Sequence, residues 1–304
     1  MSSAPQWWLG TMGFGYADWR GTFYPARPVL SGPGKLAEYS QTFNAVELDS
    51  TFHATPPRDR VASWADAIAD DRRASFRFTA KLCKQFTHAD RPLDTDQSLE
   101  LLDQHRRSLE PLFESGLLRA VLWQFPPSLT SEALPELLRA IDTWPIDWPM
   151  AVEVRDDSWW QPGVGPALAK KLRERNAAWV IADEPPKTIA MLSPDDAQAS
   201  TTYQPRSPIL TGDWFYVRWI GRHEQFPDLA EQRLDPTGRL KWWADKLLGV
   251  LAGGRVKEIV GFFNNGYSGH SPLAARKMRD LLDLPNPPAP AARAAAKAAS
   301  ERLF

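Results

Sequence analysis

Residues 45–51 read AVELDST, and this short stretch decides the fold. Side chains alternate along an extended chain, so Val46, Leu48 and Ser50 share one face and Glu47, Asp49 and Thr51 the other. The run is apolar and short enough for a buried strand, yet it leaves the core on carboxylates. The pattern recurs outward in both directions. FRFTAK (76–81), AVLWQ (120–124), MAVEVR (150–155), AWVIAD (178–183) and FYVR (215–218) each end on a charged or amide side chain. IVGFF (259–263) runs directly into Asn264 and Asn265, and WWLG (7–10) supplies an eighth run near the N-terminus. Polar groups repeated at strand exits make little sense as core. They fit the rim of a (β/α)8 barrel, where strand ends converge on one pocket at the C-terminal face.

The spacing agrees. Successive runs begin about 28 to 45 residues apart, room for a strand, a helix and two loops each. Helices are expected over 35–43, 58–70, 98–114, 131–143, 166–176, 238–251 and 273–284. Residues 185–212, rich in Pro, Ser, Thr and Asp, break the rhythm and read as an irregular insertion between strands 6 and 7, a lid or binding loop. The expected architecture is a single α/β TIM barrel over 1–284, followed by a Pro/Ala-rich tail over 285–304 with no core of its own.

The totals bound the function. The 304 residues carry a formal net charge of −1, which gives no global argument for nucleic acid or an anionic membrane surface. One cysteine, Cys83, excludes an intrachain disulfide and a multi-cysteine zinc site. Lys81 and Lys84 flank it and could lower a thiol pKa, although its type favours a small, semi-buried residue after a strand. No leader pattern and no apolar run of about 20 residues are visible, so a cytoplasmic protein is expected. Fourteen tryptophans allow sugar or base stacking as well as core packing.

Ordered blocks then carry a family resemblance. LGTMGFGYADWRGTFYP, VELDSTFHATP, FTAKLCKQFTH, VLWQFPPSL, AVEVRDDSWW, VIADEP, YVRWIG and FFNNGYSGHSPLAA follow one another in the order found in the YecE-like family, domain of unknown function 72. The resemblance spans about residues 7–284. It implies a TIM barrel and no particular reaction. It implies recurring polar positions at Trp19, Arg20, Glu47, Thr51, Lys81, Thr87, His88, Gln124, Glu153, Arg155, Asp183, Arg218, Asn264 and Asn265. The chain departs from the family pattern at His53, usually tyrosine, and at Asp156, commonly histidine. It also departs at Trp219-Ile220, where Leu-His is common; His223 is close enough in sequence to stand in for that histidine.

Three functions are weighed. The first is an enzyme, a hydrolase or lyase, acting on a polar or phosphorylated small molecule or sugar derivative without a cofactor. Glu47, Glu153, His88 and Asp183 would be its acid/base groups. Trp19, Arg20, Lys81, Gln124, Arg155, Arg218, Asn264 and Asn265 would bind substrate. The second is a metal-assisted phosphodiester hydrolase acting on nucleic acid, with Glu47, Glu153, Asp183 and a histidine as ligands. Lys81 and Arg155 at the same rim disfavour a cation, so no metal is expected. The third is a non-catalytic binding protein with tryptophan-rich loops. His88 is the leading acid/base histidine and His105, in a polar helical segment, is expected in solvent. Glycines at 10, 13 and 15 and at 261, 266 and 269 could cradle phosphate or simply permit tight turns. Buried charges must be paired, so Glu47, Glu153, Arg155 and Arg218 are expected to form a network. A ligand-handling role predicts Glu153 and Arg218 partly unpaired; a structural role predicts them buried against each other.

Overall fold

Strand β1 (Gln6–Met12) lies parallel between β2 (Ala45–Leu48) and β9 (Glu258–Phe263). From β2 the sheet continues in parallel through β3 (Arg77–Lys81), β4 (Leu118–Gln124), β5 (Met150–Glu153) and β6 (Ala178–Trp179). From β9 it continues through β8 (Trp214–Trp219) to β7 (Ile181–Asp183). These relations come from a computed structural model that describes residues 4–184, 209–222 and 226–301. Residues 185–208 of the expected insertion, and His223, lie outside the described residues.

The nine segments form a nearly closed eight-membered barrel, because β6 and β7 are two halves of one strand divided at Val180. The first half pairs with β5 and the second with β8. The backbone stays hydrogen-bonded through the break. Val180 N donates to Val152 O at 2.8 Å, while Thr211 Oγ1 donates to Ala177 O at 2.6 Å and accepts from Trp179 N at 3.1 Å.

Strand alternation produces two separate apolar layers. Val46, Leu48, Phe78, Val121, Val152, Val217 and Ile259 face the surrounding helices. Trp8, Ala45, Leu122, Ala151, Val180, Trp214, Tyr216, Val260 and Phe262 fill the lumen. A packed lumen is the norm for this barrel and leaves the polar strand ends together at one mouth. Gly10 follows from this closeness: a Cβ there would sit 1.8 Å from Ala45 O. Gly266 is similar, since its Cβ would meet Arg222 O at 2.4 Å. Close packing, not a phosphate cradle, accounts for these two.

The helix expected over 98–114 is two helices, Asp96–Ser108 and Glu110–Glu114. Pro111 cannot donate to the preceding turn and its ring crowds the carbonyl there, so the first helix stops before it. Pro290–Glu301 is helical and docks on the barrel: Ala291 N donates to Phe23 O at 2.9 Å and Arg293 Nη2 reaches Glu38 Oε2 at 2.8 Å.

His105 is buried rather than solvated, with Nδ1 3.1 Å from Thr55 Oγ1. It lies on the buried stripe of its helix with Ser98 and Leu102, at the 3–4 residue spacing of a core-facing side. Burial lowers its pKa from 6.5 to about 4. Between those values the unfolded chain binds a proton that the native state refuses. Stability is therefore complete above pH 6.5 and falls as pH drops toward 4, by up to about 3 kcal/mol. His105→Gln should flatten that dependence in urea unfolding at pH 7 and pH 5. An unchanged slope would assign the acid sensitivity to other groups.

Candidate functional site

The centre of the barrel mouth is an ion-pair network built on Arg218, the penultimate residue of β8. Its guanidinium is buried and grips Glu47 of β2 through both carboxylate oxygens, Nε–Oε2 at 3.0 Å and Nη2–Oε1 at 2.8 Å. Nη1 donates to Glu153 Oε2 of β5 at 2.7 Å. The other oxygen of Glu153 accepts from Arg155 at 2.8 Å, and Arg155 Nη1 continues to Glu184 at 3.0 Å. Tyr216, one lumen layer below, donates its hydroxyl to Glu47 Oε2 at 2.6 Å and lies 3.0 Å from Thr79 Oγ1. The expected network exists, but Arg218 and Glu153 are fully paired rather than partly free.

This pairing fixes protonation. Burial alone would raise the pKa of Glu153, yet Arg218 and Arg155 outweigh it and lower the value to about 2. Glu153 thus has no proton to give near neutral pH. Both its oxygens are engaged, as are both of Glu47. The acid/base roles expected for these carboxylates do not fit this geometry; they position Arg155 and Arg218.

Above the network is a cavity of about 220 Å³. Its wall carries three cationic side chains, Lys81, Arg155 and Arg218, one carboxylate, Asp49, and the polar groups of His88, Gln124 and Asn264, with Met12, Phe52 and Ile220 between them. Lys81 Nζ is 3.0 Å from Asp49 Oδ1 and 4.1 Å from the centre of the Phe52 ring. Burial works to raise the Asp49 pKa, but Lys81 and then Arg218 overcome it and keep the carboxylate ionised. Gln124 Nε2 donates to Phe125 O at 3.0 Å, which directs its carbonyl oxygen away from that bond. Asn264 Oδ1 accepts from Gly266 N at 2.8 Å, so its amide donors remain for other partners.

His88 follows the short helix Lys84–Thr87 and is exposed at the cavity edge. Its Nδ1 lies 2.8 Å from Thr87 Oγ1, and that hydroxyl donates to Cys83 O at 3.4 Å. The hydroxyl has one proton: given to Cys83 O, it goes with the Nδ1–H tautomer of His88, and given to Nδ1, with the Nε2–H tautomer. The first arrangement leaves Nε2 with its lone pair. Partial burial, Lys81 and Arg155 lower the His88 pKa, against a smaller opposing effect of Glu153. The imidazole is therefore neutral at pH 7.

The mouth thus gathers Lys81, His88, Gln124, Arg155, Arg218 and Asn264 around one cavity, with Glu47 and Glu153 beneath it. Asp183 is a correction. It lies on the outward face of β7 beside Ile181, while Ala182 faces the lumen. Arg239 Nη2, at 2.8 Å, and Trp243 Nε1, at 2.6 Å, bind its carboxylate in the seam between barrel and helix. Trp19 and Asn265 form another seam contact, Nε1 to Oδ1 at 3.2 Å, both buried and neither lining the cavity. Arg20 is exposed and does not line the cavity either. No tryptophan is among the lining residues, and Trp19, Trp123, Trp159 and Trp219 are packing residues. Asp49 and Phe52 join the site; alternation from Glu47 already placed Asp49 on the lumen face. Cys83 is buried, and desolvation raises its pKa, which opposes a reactive thiolate. Among the described residues no three His, Cys, Asp or Glu side chains are grouped as metal ligands, and no helix is long and apolar enough to cross a membrane.

Comparison with known proteins agrees with this architecture. A family model described as "Protein of unknown function DUF72" matches residues 8–298, a span that includes most of the tail helix. The UPF0759 protein YunF of Bacillus subtilis is 29% identical over 180 residues, 59% of this chain and 61% of YunF. The match thus spans about six tenths of that relative. The UPF0759 protein YecE of Escherichia coli is 28% identical over 199 residues, covering 64% of this chain and 69% of YecE. A crystal structure of a DUF72 family protein from Thermotoga maritima superposes with a TM-score of 0.68 at 26% identity, over 91% of this chain and 99% of that one. One from Enterococcus faecalis gives 0.68 at 24%, over 92% and 99%, and supports the fold alone.

Proposed function

The chain belongs to the DUF72 family, a description that carries no reaction, and from that premise we propose that the barrel mouth is an enzyme site for a small polar molecule bearing a carboxylate or phosphate. The observation that carries the reading is the donor set of the wall: Lys81, Arg155 and Arg218 line the cavity, whereas the carboxylates paired with the two arginines, Glu47, Glu153 and Glu184, do not. The volume of about 220 Å³ lies below the range of roughly 300–1,000 Å³ usual for drug-sized ligands, which favours a molecule of sugar-acid size. Lys81 and Arg155 bind the acid group, and Gln124 and Asn264 orient the rest. His88 Nε2 is the general base. It takes a proton from water in a hydrolysis, or from the bound molecule in an elimination, and the Nδ1–H bond to Thr87 holds the ring in place.

Isothermal titration with inorganic phosphate tests the binding half. Wild-type protein should bind it, and Lys81→Met should weaken binding at least about tenfold, the loss of one charge-assisted contact. Absence of binding, or binding indifferent to Lys81, would remove the anion from the reading.

A further inference from the structure

A second cavity adjoins the first. It has a volume of about 540 Å³ and runs between the chain after β3, residues 87–93, and the chain after β4, residues 126–129. The two cavities meet at His88, which lines both. Both walls of this groove are fixed. Ser98 Oγ donates to Pro92 O at 2.8 Å and Leu93 N donates to Glu136 Oε2 at 3.1 Å. Leu129 N closes a turn onto Pro126 O at 3.1 Å, and Trp159 Nε1 holds Leu129 O at 2.8 Å. A groove held from outside by such bonds is preformed for a ligand.

The two compartments differ in charge. The mouth wall has three cationic side chains to one carboxylate. The groove wall has Asp90 and Glu136 to one arginine, Arg91, whose Nε donates to Ser98 Oγ at 2.9 Å. The mouth thus presents an acid group with the N–H donors of Lys81, Arg155 and Arg218, while the groove presents it with two carboxylates. Pro92, Pro126 and Leu129 offer apolar surface beside the hydroxyl of Ser128, a mixture suited to an uncharged ring carrying hydroxyls.

Resting on the function proposed above, we infer that the natural ligand is a two-part molecule. Its acid head occupies the mouth, an uncharged, hydroxylated, sugar-sized group occupies the groove, and the bond joining them lies against His88. This places the general base at the linkage and makes the groove the determinant of which conjugate is accepted.

The test uses inorganic phosphate and glucose 1-phosphate as probes, titrated calorimetrically into the full chain. Glucose 1-phosphate should bind at least tenfold tighter than phosphate. Ser128→Trp, at an exposed groove position, should erase that gain and leave phosphate binding unchanged; Lys81→Met should weaken both probes. Circular dichroism and melting temperature confirm that each variant is folded. Phosphate binding with no gain for glucose 1-phosphate, or with a gain that survives Ser128→Trp, would overturn the two-part ligand while leaving the anion site intact. Failure of both probes to bind wild-type protein would overturn the anion site and the two-part ligand together.

Discussion

Replacing Arg218 by methionine is expected to cost about 3–5 kcal/mol of folding stability, the range for removing one partner of a buried ion pair. Glu47 and Glu153 are both buried, and Arg218 supplies the cationic contacts to Glu47 and one of the two to Glu153. Without it, Glu47 loses its cationic contacts and Glu153 keeps that of Arg155, both carboxylates remaining buried. Methionine fills much of the space, so the loss is electrostatic rather than a cavity effect. The pH dependence separates the two. In the wild type, Glu153 is depressed to about 2, so its contribution is complete above about pH 4.5 and lost as pH falls toward 2. In the variant, the stranded carboxylates favour protonation, so its deficit should narrow as pH drops below about 5. Adding Glu47→Gln and Glu153→Gln to the methionine variant should restore part of the loss, because no buried charge is then stranded. Urea unfolding of the variants at pH 7 and pH 4.5 measures all of this. A loss under about 1 kcal/mol would mean that Arg218 is held loosely and is available to a ligand.

His88→Gln should instead leave the fold intact and lower turnover by roughly 10²–10⁴, the usual contribution of a positioned general base. The residue is exposed, its side-chain hydrogen bond is to the neighbouring Thr87, and its ring meets Phe52 edge-on at 4.9 Å, contacts that a glutamine of similar length partly keeps. The wild-type rate should rise with pH as the imidazole loses its proton. Burial, Lys81 and Arg155 lower that midpoint, so the rate should level off below the ordinary 6.5 of histidine and stay flat through neutrality. The glutamine variant should lack this step. Equal turnover in the two proteins would assign the base elsewhere.

Much of this site is legible in residues 45–51. Alternation there separates Glu47 and Asp49 from Val46 and Leu48, and the same rule places Glu153 with Arg155 and Tyr216 with Arg218. Asp183 shows where a strand-end rule fails when alternation is ignored: Val180 and Ala182 are lumen residues, so the carboxylate one position on faces the helices. His105 was likewise readable three residues after Leu102, on the apolar side of its helix. Partner choice was not readable. Arg218 reaches Glu47 across 171 residues and Glu153 across 65, and Trp19 meets Asn265 across 246. No local pattern encodes such meetings; barrel closure creates them. The groove beside His88 is hidden for the same reason, since its walls come from loops after two different strands.

The measurement closest to the central claim is a proton NMR titration of the His88 imidazole, identified as the signal missing from His88→Gln, with and without inorganic phosphate. A neutral base beside a cationic, anion-binding wall should titrate below 6.5 in the free protein. Its midpoint should move up when phosphate brings negative charge into the mouth, and this rise should vanish in Lys81→Met. A midpoint at or above 6.5 that phosphate does not move would contradict an anion site with His88 as its base.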